Sequence, residues 1–114
     1  MTHIGLLLFP QLTVLDLIGP YEVFCRLPNA QVDLIWHTLA PVITEHGLPL
    51  QPTLSCEDTQ YLDVLCIPGG FGVTPLLNDA PTIDFILSKL GDYDRFTVRK
   101  MFGEYALYAD GKVV

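Results

Sequence analysis

The chain has 114 residues, enough for one small domain with a buried core. Half of the residues are hydrophobic and only 17% are charged, which excludes a disordered chain, and the net charge of −7 lacks the basic footprint of nonspecific nucleic-acid binding. The apolar runs are too short to span a bilayer and Met1-Thr2-His3 lacks the basic flank of a secretory signal, so the expectation is a cytoplasmic protein with no membrane partner.

Ile4 to Phe9 is a short continuous apolar run ended by Pro10, the pattern of a buried strand. Thr13 is placed to cap a helix over Val14–Leu27, where apolar residues recur at spacings of three and four. Pro20 is expected to kink or split that helix, because it lacks an amide hydrogen and crowds the preceding turn. Gln31 to Thr38 is a second strand, completing a strand–helix–strand unit. The proline-rich stretch 41–55 suggests short extended pieces, read as a hairpin at the sheet edge. Asp63 to Ile67 is a central parallel strand that stops at Pro68-Gly69-Gly70. Thr74 to Asn78 suits one helical turn, and a helix opens at Ala80 and stops at Gly91. Phe96 to Tyr108 reads as one long strand, turning at Ala109-Asp110-Gly111 into a return strand that begins at Lys112.

Charge is divided unevenly. Residues 1–88 hold nine Asp and Glu against one Arg, a balance of −8, whereas residues 89–114 hold five Lys and Arg against four acids, a balance of +1. Such a shift marks a change of origin or role near residue 88.

Ligands of open α/β sheets bind beyond the carboxyl ends of the strands, which here are Phe9, Trp36 and Ile67. Two features converge there. Asp16, between Leu15 and Leu17, is a candidate proton donor or acceptor; it reads equally as a solvated acid favoured by a helix N-terminus. The Gly69-Gly70 turn either presents its amides to a ligand or only relieves a tight reversal. Cys25, Cys56 and Cys66 are too few and too scattered for a disulfide scaffold or zinc site, and each reads as a partly buried thiol. His3, His37 and His46 lie at no ligand spacing from a cysteine, and Gly69-Gly70-Phe71-Gly72 lacks the lysine of a phosphate loop.

The segments IGLLLFPQLTVLDLIGPYEVF and DVLCIPGGFGV, in that order and spacing, resemble the ThiJ/PfpI superfamily over residues 3–88, and the isonitrile hydratases within it most of all. The resemblance implies an α/β fold, here an incomplete flavodoxin-like parallel sheet with flanking helices, and a homodimer without a cofactor. It implies hydration of an isonitrile to an N-substituted formamide. The acid of the first helix falls on Asp16, and the substrate-binding glycine turn on Gly69 and Gly70. The family nucleophile is a cysteine at an elbow after the next strand. No cysteine follows Cys66 in this chain, so the resemblance implies that hydration is lost.

FTVRKMFGEYALYADGKVV is similar to the start of a TfoX/Sxy N-terminal domain, chiefly through Arg99-Lys100-Met101-Phe102-Gly103-Glu104-Tyr105. The two resemblances together imply a hybrid joined near residues 84–95. Residues 1–90 would be a partial ThiJ/PfpI-like domain, and residues 91–114 a hairpin fragment that packs on it or extends it. The alternatives to a hydratase are then a non-catalytic binding or scaffold module and, after it, a TfoX-like regulator.

Overall fold

The computed structural model describes residues 1–90, 96–101 and 104–109. Strands β1 (Thr2–Leu7), β2 (Ala30–Trp36), β5 (Leu54–Ser55) and β6 (Val64–Ile67) pair in parallel in the order β5-β2-β1-β6. Strand β8 (Glu104–Ala109) joins β6 antiparallel, and β7 (Phe96–Met101) pairs with β8 at the far edge. Helix α1 (Val14–Phe24) packs on β1 and β2, while α2 (Val73–Leu77) packs against α3 (Ala80–Leu90). The expected α/β fold is present, with four parallel strands, flanking helices and a terminal hairpin. No helix among the described residues is long and apolar enough to cross a membrane.

The core follows from the apolar runs. Ile4, Leu6, Leu7, Leu8 and Phe9 are all buried, as are Val64, Leu65 and Cys66 of the adjacent strand. A strand paired on both sides and covered on both faces needs continuous rather than alternating hydrophobicity, and β1 has it. Leu17, Pro20 and Phe24 are the buried residues of α1.

Several expectations need correction. The first strand ends at Leu7, although the Leu8 amide still donates to the Ile35 carbonyl at 2.8 Å. The second ends at Trp36, and α1 stops at Phe24, where the Cys25 amide turns back to the Tyr21 carbonyl. Pro20 does not divide α1. It sacrifices one bond, since it has no N–H for the Asp16 carbonyl, and its ring is buried in compensation. The 41–55 hairpin exists as β3 (Val42–Ile43) and β4 (Pro49–Leu50), but it forms a separate two-stranded sheet; the edge of the main sheet is β5. The reversal expected at Ala109-Asp110-Gly111 falls instead between Met101 and Glu104, which pair directly. Every residue of both six-residue strands is paired. Residues 110–114, with the expected return strand from Lys112, lie outside the described residues, as does the helix stop at Gly91.

Two glycines test the packing in opposite directions. A Cβ on Gly72 would lie 1.9 Å from the Pro10 carbonyl oxygen, a backbone atom that cannot move aside, whereas a Cβ on Gly19, exposed in α1, meets nothing within 4 Å. In urea unfolding, Gly72→Ala is expected to destabilise the chain by at least about 1–3 kcal/mol through overpacking. Gly19→Ala is expected to stabilise it by about 0.5–1 kcal/mol, the ordinary helix-interior difference.

Candidate functional site

The site is built around a three-residue segment, Gln11–Thr13, that connects β1 to α1. On one side the Gln11 amide donates to the Ile43 carbonyl and the Glu45 amide to the Leu12 carbonyl, both at 3.0 Å. On the other side the Thr13 amide donates to the Gly69 carbonyl at 2.9 Å and the Gly72 amide to the Gln11 carbonyl at 3.3 Å, around a Leu12–Gly70 bridge. The glycine turn is thus docked onto the start of α1. Gly70 has φ +138, and a Cβ there would lie 2.6 Å from the Gln11 carbonyl oxygen and 2.7 Å from the Thr13 nitrogen. The close approach requires glycine. Gln11 itself is held at φ 69, a left-handed conformation that costs a non-glycine residue about 1–3 kcal/mol.

Asp16 lies in the first turn of α1, half-buried, with its amide bonded to the Thr13 carbonyl at 3.1 Å. Of the two leucines that flank it, only Leu17 is buried; Leu15 is 76% exposed. The apolar setting expected for Asp16 is therefore one-sided. Among the described residues the Asp16 carboxylate has no hydrogen-bond partner, and the Gly70 amide donates to none. The fold brings the two segments together through the Thr13–Gly69 bond. Thr13 sits at the N-cap with extended backbone, as expected, yet its hydroxyl does not cap the helix. It donates to Glu45 Oε2 at 3.0 Å. Glu45, contacted in turn by His46 Nε2 at 3.4 Å, was not distinguishable in the sequence, because it meets Thr13 only through tertiary folding across 32 residues.

On the other flank of the glycine turn a cleft of about 500 Å3 opens at the carboxyl ends of the strands. Phe9, Trp36, His37, Phe71, Leu76 and Asp79 line it, and neither Asp16 nor Gly70 does. His37 Nε2 lies 2.8 Å from the Thr82 hydroxyl and 3.4 Å from Asp79 Oδ2, and the Thr82 hydroxyl donates to Asp79 Oδ2. Asp79 heads α3: its carbonyl accepts the Thr82 and Ile83 amides at 3.1 Å. The Thr82 hydroxyl, and then His37, hold the Asp79 carboxyl below its ordinary value of 3.8. This group escaped the sequence reading, although Asp79-Ala-Pro-Thr82 is a recognisable helix start and His37 directly follows the strand end at Trp36.

The cysteines depart from expectation at one position. Cys56 and Cys66 are buried, but Cys25 is exposed at the end of α1. A hydrogen bond with Cys25 pushes the Tyr21 hydroxyl above its ordinary pKa.

A ThiJ/PfpI family protein from Pseudomonas syringae superposes with a TM-score of 0.73 and 33% identity, over 77% of this chain and 37% of that one. The chain has the ThiJ/PfpI fold of the DJ-1 superfamily. A cysteine-to-alanine mutant of a DJ-1 superfamily protein from Salmonella typhimurium shares the fold at a TM-score of 0.68 and 21% identity, over 75% of this chain and 48% of that one. In sequence the chain is a homologue of the isonitrile hydratase of Pseudomonas putida, 48% identical over 109 residues. That alignment takes in 96% of this chain and 47% of the hydratase, so the chain spans about half the length of the curated relative it matches. An alignment of 109 residues also runs past residue 88, through most of the segment where the second resemblance lies. No family model matches the chain.

Because the folded Asp79 carboxyl is held below its ordinary value, its charged form favours folding. That contribution is complete above 3.8 and is lost as pH falls through the lower folded value. Asp79→Asn keeps a competent helix cap but cannot titrate. The difference in melting temperature between the unaltered chain and this variant is expected to narrow as pH is lowered from about 5 to about 3. A difference that stays constant across that range would contradict the assignment.

Proposed function

We propose that this chain carries the acid and glycine-turn part of an isonitrile hydratase-like site and does not complete turnover by itself. The observation that carries the reading is the docking of the glycine turn on the start of α1, which sets Asp16 and Gly70 on two hydrogen-bonded segments at the carboxyl end of β1. The 48% identity to an isonitrile hydratase supports the substrate class.

In hydration of R–N≡C, the oxygen of water ends on the terminal carbon. One of its hydrogens ends on that carbon and the other on nitrogen, giving R–NH–CHO. Asp16 would move a proton to or from the isonitrile, and the Gly70 amide would donate to the charge that develops as the nucleophile adds. The nucleophile is what the chain lacks. The strand after α3 is β7, and neither it nor the link to β8 contains a cysteine. Moreover β8, not β7, lies beside β6. Ile67 pairs with Tyr105 and Met101 with Glu104, so it is the end of β7 and the start of β8 that lie near the carboxyl end of β6, where an elbow would face the glycine turn.

The same observation favours a second reading, a non-catalytic binding or scaffold module. In this reading residues 91–114 are a TfoX-like hairpin that extends the partial domain of residues 1–90, with β8 running antiparallel beside β6. Self-association as a homodimer would cover Leu15 and Val23 of α1, which are 76% and 62% exposed.

The test is formamide production from an alkyl isonitrile, followed by NMR with the purified chain. No formamide above the buffer rate is expected, with the substrate still bound. Turnover that Asp16→Ala abolishes would show that water adds without a cysteine. Turnover that survives Asp16→Ala would remove the role assigned to Asp16.

A further inference from the structure

We infer that the cleft bounded by Trp36, Phe71 and Asp79 is a binding site for a small aromatic amine in its cationic form. The argument starts from size. A volume of about 500 Å3 falls within the usual range of small-molecule sites.

The walls are aromatic. Phe9 forms part of the lining, Trp36 closes the end of β2, and Phe71 stands 78% exposed at the rim. Exposure of a phenylalanine to that degree carries a hydration cost that a stacked ligand ring would relieve.

Charge selects the sign of the ligand. Asp79 is the acid of the cleft, and no lysine or arginine side chain lines it among the described residues. Arg26, the single arginine of residues 1–88, is engaged by Glu22 on α1 instead. Among the described residues Asp79 has no lysine or arginine partner. Its contacts with the Thr82 hydroxyl and His37 both fall on Oδ2. A carboxylate accepts about four hydrogen bonds, so it retains capacity for an ammonium group. An ammonium beside the Trp36 ring gains in addition from the negative ring face.

The third element is rigidity. The Thr82 hydroxyl is fully buried and locks Asp79 to His37, joining the end of β2 to the start of α3. Such a support holds the carboxylate in place before a ligand arrives, which lowers the ordering cost of binding. The site owes nothing to Asp16, so it stands or falls apart from the hydratase reading.

Trp36 is the one tryptophan of the chain, which makes the cleft self-reporting. The probes are 2-phenylethylamine and phenylacetate, of matched ring and opposite charge, titrated while Trp36 emission is followed. A saturable change with the amine and none with the acid is expected. Asp79→Asn, which preserves the helix cap, is expected to weaken the amine about fivefold or more. No saturable response to the amine, equal binding of phenylacetate, or undiminished binding by Asp79→Asn would each overturn the proposal.

Discussion

The structure depends on one constraint: Gln11–Thr13 is hydrogen-bonded along both edges. The loop of residues 43–45 holds one edge and the glycine turn of residues 69–72 holds the other. Each edge carries two hydrogen bonds, together worth about 1–3 kcal/mol net, which only matches the conformational cost of about 1–3 kcal/mol at Gln11. The two edges together contribute about 2–6 kcal/mol and so hold the segment with a margin. The absence of a side chain at Gly70 and Gly72 permits this contact, because any Cβ there would strike the backbone of Pro10 to Thr13.

From this contact the geometry of the candidate site follows. It fixes where α1 begins, and so where Asp16 stands relative to the Gly70 amide. It also shapes the cleft on its other flank, whose walls include Gln11 and Gly72. The parallel strands deliver the pieces: β1 sends the chain to β2 on one side, and β6 later joins it on the other. Crevices form where a sheet divides in this way. The hairpin then closes the open flank of β6 in the opposite sense to a parallel continuation.

Much of this was legible in the sequence for physical reasons. Continuous apolar runs identify strands buried on both faces, and β1 and β6 were found by that pattern within two residues at each end. Pro68-Gly69-Gly70 announced a tight reversal beyond a strand. Asp16 and Gly70 stood out as candidates because they lie on short segments with local signals. Glu45, His37 and Thr82 were not, because their partners are distant in sequence and no periodicity records a single long-range bond. The hairpin link was misplaced because Ala109-Asp110-Gly111 and Phe102-Gly103 both offer a glycine, and strand register decides between them.

The most direct measurement is amide hydrogen exchange resolved by residue. If the doubly held segment is the keystone, the Thr13, Glu45 and Gly72 amides will exchange as slowly as the Leu8 amide inside the sheet, opening only when the whole domain opens. The Gly70 amide, which donates to no partner among the described residues, will exchange fast. Rapid exchange at Thr13 and Gly72 while Leu8 stays protected would contradict the account, because the glycine turn would then be released from α1 in the folded chain.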